Sequence, residues 1–87
     1  MFGINDGPFH AAEEKMHKEM MAQKGTTVDE TWARKMIVHH QGAIDMSEIL
    51  LEQGSDPAIR QMASESIEKQ RRDISKLQQL IPQDQVA

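Results

Sequence analysis

Met36-Ile37-Val38-His39-His40-Gln41-Gly42-Ala43-Ile44-Asp45-Met46 sets two adjacent histidines between two methionines. At about 100° per residue in an α-helix, Met36, His39, His40, Ala43 and Met46 fall within an arc of about 120°. Trp32 and Leu50 project to the same side, with Ile37, Ile44 and Leu51 at its border. The stretch therefore predicts a helix whose apolar face carries imidazoles and thioethers, and that face is expected to be the core. A small core is ordinarily filled with leucine and isoleucine. Soft donors in their place point to a soft ion, above all Cu(I) or Ag(I).

Outward from this stretch, the punctuation predicts three helices, at about 8–24, 28–53 and 57–81. The first opens after Asp6-Gly7 with Pro8 suited to the first helical position, and stops at Gly25. Its inward stripe reads Phe9, Glu13, Met16, His17 and Met20, with Met21 at the margin. The second begins with Thr27-Val28-Asp29-Glu30, the pattern of a capping box, and ends at Gly54, where a left-handed cap is expected. The third has Asp56 as N-cap with Pro57 next to it, and stops before Pro82. Its stripe is Ile59, Met62, Ala63, Ile67, Ile74, Leu77 and Ile81, with Gln70 on the apolar side in need of a partner and Glu68, Lys69, Arg71 and Arg72 turned to solvent. Connections of a few residues favour antiparallel neighbours, so the expected fold is all-α, an antiparallel up-down three-helix bundle.

The chain has 87 residues and no cysteine. It is expected to form one domain, close to the size at which a single core is marginal without a metal or a partner chain. Thiolate zinc and iron–sulfur sites are excluded, leaving methionine, histidine and carboxylate as ligands. Net charge is −4 and the basic residues are dispersed among acidic ones, which disfavours nucleic-acid binding. No apolar run approaches a membrane span, and Met1-Phe2-Gly3-Ile4 is too short for a signal peptide. The expectation is a cytoplasmic chain, or one whose export signal lies outside this stretch. Seven methionines are many for this length.

Helix one repeats the chemistry of helix two in Met16-His17-x-x-Met20-Met21, on the stripe expected to face it. Cu(I) tolerates two to four soft donors without a rigid polyhedron, so Met16, His17, Met20, Met21, Met36, His39, His40 and Met46 form the candidate ligand set. Each has a plainer explanation. Methionine in a helical stripe is ordinarily core filler, but clustering on two facing helices weakens that explanation. A histidine on an apolar face is usually a hydrogen-bonded core residue, and burying two adjacent ones without partners would cost about 1–3 kcal/mol each. His10, close to the start of helix one, is expected to be exposed. Asp45 lies about 180° from Met36 and is expected to face solvent or another helix. Met62 reads as core, and Trp32 as a packing anchor near the loop.

The run from Met36 to Met46, together with Met16-His17-x-x-Met20-Met21 and the later Ala63, Ile67, Gln70 and Ile74, resembles the CopM-like domain-of-unknown-function family numbered three hundred and five. The likeness covers about Phe9 to Leu80. It implies a ferritin-like helical bundle, periplasmic or otherwise extracytoplasmic, that binds copper and often silver through methionine and histidine in metal buffering, transport or resistance. Copper would be held as Cu(I), with Cu(II) the second oxidation state and silver a surrogate. The resemblance carries Met36, His39, His40 and Met46 firmly and Met16, His17, Met20 and Met21 less firmly. Val38 stands where the family often has proline, and Leu77 replaces a common methionine. Many members are longer, so a missing fourth helix would be supplied by a second chain, and a homodimer is expected.

Two other functions compete. Glu14-x-x-His17 matches half of a di-iron carboxylate pattern, but helix two has no glutamate three residues before either histidine. A metal-free interaction module would use the methionine stripe as an adaptable docking surface. Nothing resembles a nucleophile with its base, a phosphate loop or paired catalytic carboxylates, so no enzymatic activity is expected.

Overall fold

The computed structural model describes residues 7–82, which form a 3-10 turn at Gly7–Phe9 and three helices, α1 (His10–Ala22), α2 (Val28–Gln53) and α3 (Pro57–Leu80). No strand occurs among the described residues. Met1-Phe2-Gly3-Ile4 lies outside them. Pro8 belongs to the 3-10 turn rather than to the first turn of α1, which begins at His10 with Phe9 as an N-cap that makes no side-chain hydrogen bond. At its other end α1 stops at Ala22, where Gln23 turns extended while its N–H still reaches Met20 O at 3.2 Å. The early stop lets Gly25 pass close under the Glu30 side chain, where a Cβ would sit 2.7 Å from Glu30 Cβ.

The start of α2 uses both expected residues in a shifted arrangement. Thr27 Oγ1 accepts from Glu30 N–H at 3.0 Å, as in a capping box. The Glu30 carboxylate, however, takes the hydroxyl of Thr26 at 3.0 Å and its N–H at 3.3 Å, and on its other oxygen the Arg34 guanidinium at 2.7 Å. The Arg34 hydrogen bond, followed by those of Thr26, holds the Glu30 carboxyl below its ordinary range. Gly54 is not left-handed. Its φ of −82° and ψ of 162° are extended, and glycine is required there because a Cβ would stand 2.8 Å from Leu50 O. The exposed carbonyls at this end of α2 are satisfied by the Arg60 guanidinium, which donates to Leu51 O and to Gly54 O. Asp56 caps α3 as expected, accepting from Ala58 N–H at 2.9 Å and Ile59 N–H at 3.1 Å. Ile81 is extended, as the residue before a proline should be.

α1 and α3 both pack on α2 and not on each other. The α1 contact centres on Gly42, which is buried beneath Met16; a Cβ on Gly42 would lie 2.7 Å from Met16 Cγ and 3.0 Å from Met16 Cβ. The α3 contact lies on the side of Ala33 and Ile44, and Ile44, only 2% exposed, is the one large side chain fully buried among the described residues. Gly42 and Ile44 are two residues apart and so on nearly opposite sides of the helix. α2 is thus a central rod with one helix on each flank. Contacts with α3 run in reverse order along the chain: Leu51 with Arg60, Glu48 with Arg71 at 3.5 Å, His40 with Asp73 at 3.6 Å and Arg34 with Pro82 at 3.3 Å.

This arrangement corrects several expectations. The face of α2 with Trp32, Met36, His39, Ala43 and Met46 falls between the two packed flanks rather than inside a closed core; Trp32 is 57% exposed and lines an open groove instead of a core. On α1 the row turned to α2 is Phe9, Ala12, Met16, Met20 and Gln23, all half-buried, whereas Glu13, His17 and Met21 are exposed. On α3 Ala63 is buried and Ile67, Gln70, Ile74, Leu77 and Ile81 are half-buried, but Ile59 and Met62 are exposed because Arg60 is the residue turned onto the end of α2.

Two measurements test these assignments. Gly42→Leu should lower the urea midpoint by the equivalent of about 1–3 kcal/mol through overlap with Met16. Gly42→Ala should come closer to neutral, since it gains about 1 kcal/mol of helix propensity, and Met16→Ala should suppress its residual cost. Glu30, with its folded pKa depressed, contributes stability that is complete above the ordinary glutamate range and is lost as pH falls through the depressed value. Melting followed by circular dichroism should therefore show a decline between about pH 5 and pH 2 that is shallower in Glu30→Gln.

Candidate functional site

The eight candidate ligands do not converge on one point. Met36 and His40, one turn apart on α2, lie toward α3 and are half-buried. Met46 lies toward the α1 side of the same face, and Met16 and Met20, half-buried on α1, line that seam. His39 stands between the two groups and is exposed; its ring centroid is 6.1 Å from that of His40, with the planes at 65°. The expectation of one cluster is therefore replaced by two seams flanking His39.

His17 and Met21 leave the set expected to face α2. His17 joins His10, Glu13, Glu14 and Lys18 along an open groove on the exposed side of α1, where His10 Nε2 approaches Glu14 Oε2 at 3.2 Å. Met21 is exposed on α1. The reason is rotational: a buried row through Phe9, Ala12, Met16 and Met20 puts positions 17 and 21 about 100° and 140° away from Met16. Asp45 behaves as expected, facing a neighbouring helix and pairing with Lys15 at 3.7 Å. Among the described residues no three histidine or carboxylate side chains gather in a manner that could hold a metal ion by themselves. Any site here would need thioether sulfur.

His40 is the most constrained of the candidates. Its side chain is 15% exposed, and Nε2 lies 3.6 Å from Asp73 Oδ2 on α3. Nδ1 is buried and has no hydrogen-bond partner among the described residues. A hydrogen bond from the Lys69 ammonium at 3.3 Å holds the Asp73 carboxyl below its ordinary range, with smaller electrostatic help from Lys69, His40 and Lys76 against the opposing effect of burial. Asp73 was invisible as a site residue in the sequence, since it reads as the partner of Lys69 at i, i+4 spacing and meets His40 only through the α2–α3 register. Lys35 was missed likewise; its ammonium donates to Met20 O at 2.6 Å and closes the end of α1 from α2.

An open groove of about 760 Å³ ends the α2–α3 side, lined by Val28, Trp32, Ala33, Leu77, Leu80 and Ile81. Val28 is 84% and Leu80 78% exposed. No helix of the described residues is long and apolar enough to cross a membrane.

Three helices with a row of thioethers and imidazoles along the central one define a small all-α protein of the helical-bundle class. The chain belongs to the family of domains of unknown function DUF305, whose model matches residues 5–81 and so takes in the whole stretch over which the sequence resembled it. No curated protein matches the chain.

The position of His40 leads to a specific expectation. His40→Ala removes the buried orphan nitrogen but leaves a space, so it should destabilise metal-free protein less than an Ile44→Ala substitution, whose cost is about 2–5 kcal/mol. Paired thermal melts of the two variants measure this.

Proposed function

We propose that this chain binds a soft monovalent metal ion, Cu(I) and also Ag(I), as cargo, through His40 and Met36 with the exposed His39 beside them, Met46 lying apart toward α1. Met16 and Met20 serve the α1 seam. The observation that carries this reading is the buried, unpartnered Nδ1 of His40 one helical turn from a thioether. A buried polar atom left unpaired costs about 1–3 kcal/mol. A soft cation takes a neutral imidazole nitrogen and a thioether together as ligands. The exposed His39 next to the 15%-exposed His40 marks the side from which an ion would enter and leave, as buffering or transport requires. The role in this reading is non-catalytic and extracytoplasmic, the compartment being supported by the family resemblance alone.

The architecture in this reading is an antiparallel up-down, ferritin-like bundle. The reverse-order pairing of α2 with α3 and the three-residue connection between them support it. A second copy would cover the exposed Trp32, Val28 and Leu80, because one fully buried large side chain is a slight core for a domain of this size. The di-iron alternative is weakened by Glu14 and His17, both exposed on α1 and facing no other helix.

Anaerobic titration with Cu(I) against a chromophoric chelator, read with native mass spectrometry, tests the assignment. Saturable binding should weaken about tenfold or more in His40→Ala and further in His39→Ala/His40→Ala, while His17→Ala stays close to the parent. Methionine oxidation should weaken it too, because the soft donor is lost. Equal, weak binding in all variants would sink the metal reading.

A further inference from the structure

The two nitrogens of a neutral imidazole are not equivalent: one carries the proton and the other a lone pair. His40 sets them in opposite surroundings. Nε2 looks toward the Asp73 carboxylate at 3.6 Å, a distance in the ion-pair range and longer than a formed hydrogen bond. Nδ1 is buried with no hydrogen-bond partner among the described residues. With the proton on Nε2, an N–H dipole points at an anion. With the proton on Nδ1, a lone pair would face that anion; Nδ1 is unpaired in either tautomer, so the carboxylate decides between them.

We propose that Asp73 is a positioning residue that keeps His40 in the Nε2–H tautomer, so that the buried Nδ1, and not the carboxylate-facing Nε2, is the atom that donates to a metal ion. The donor half rests on the soft-metal reading above; the tautomer half does not. Second partners of this kind, a carboxylate behind a ligating histidine, fix the ring and raise its basicity. Here the carboxylate comes from a different helix than the histidine. Lys69 approaches the same Oδ2 at 3.3 Å, one turn away on α3, and tethers the carboxylate in its place. The α2–α3 register is thereby tied to the choice of donor atom. Slippage of α3 along α2 by one turn would remove Asp73 from His40.

The test is long-range proton–nitrogen correlation NMR on the full, nitrogen-15-labelled chain at about pH 8, where imidazoles are neutral. Metal-free protein should show His40 in the Nε2–H form. Asp73→Leu should lose that preference and bind Ag(I) about 10–100-fold more weakly. Asp73→Asn, which retains an acceptor oxygen in the same place, should keep the tautomer and most of the affinity, and so separates positioning from simple loss of fold. Added Ag(I) should move the Nδ1 resonance of His40. An Nδ1–H form in the parent, or a tautomer unchanged in a folded Asp73→Leu, overturns the role of Asp73. Silver that moves Nε2 instead overturns the donor assignment alone. Silver that moves neither nitrogen overturns the soft-metal reading and the donor assignment with it, while the tautomer itself is still read from the metal-free spectrum.

Discussion

Every interhelical contact among the described residues involves α2, and the fold depends on the two flanks of that helix being shaped differently. On one flank Gly42 has no side chain, so Met16 lies directly on the backbone and α1 can approach closely. On the other, Ala33 and Ile44 offer a small residue and a large one to α3, and Ile44 is sealed. Because α1 and α3 do not meet, neither can compensate for loss of the other's contact. Stability in so thin an arrangement comes from fit along two seams rather than from a deep core, which is why side-chain bulk at position 42 matters.

The helix ends show the same economy. α2 is closed at its start by Thr27 and by Glu30 held between Thr26 and Arg34, and at its finish by Arg60 reaching back from α3. Lys35 reaches from α2 to the last turn of α1. Helix termini leave backbone groups unsatisfied, and here two of the three C-terminal ends, those of α1 and α2, are served by cations from the neighbouring helix. These bonds do more than cap. Each sets the axial position of one helix against the next, and the α2–α3 register so established is what brings Asp73 to His40.

A central helix with two flanking ones has a face left over, and the methionines and histidines stand along it. In a closed bundle they would be core packing with no route to a ligand. On an incompletely covered face Met36, His40 and Met46 are half-buried, and the unpaired Nδ1 of His40 is costly there. The proposed function follows from that intermediate burial. The same openness leaves Trp32, Val28 and Leu80 at the surface, so a metal site and a chain-pairing surface would share one side of the molecule.

Much of the local structure is legible in the amino acids. Thr27, Asp56 and Pro82 mark helix ends by chemistry that acts within a few residues, and the 3.6-residue period of α2 puts Met36, His39, His40 and Met46 on one face whatever surrounds it. What surrounds that face is a different matter. Periodicity gives the direction of a stripe but not which neighbour covers it, so the histidine face of α2 reads as core although only its edges are packed. On α1 a shift of the buried row from Glu13 and His17 to Ala12 and Gln23 reverses the fate of His17, and both rows are amphipathic enough to be plausible in sequence. Arg60, Lys35 and Asp73 act across helices, and nothing local distinguishes them from other surface charges. The sequence by itself determined three helices, the caps at Thr27 and Asp56 and the shared face of Met36, His39, His40 and Met46, because these depend on short-range geometry. Only the tertiary structure decided which donors are buried, which nitrogen lacks a partner and which carboxylate stands behind it, because those depend on the rotation and register of one helix against another.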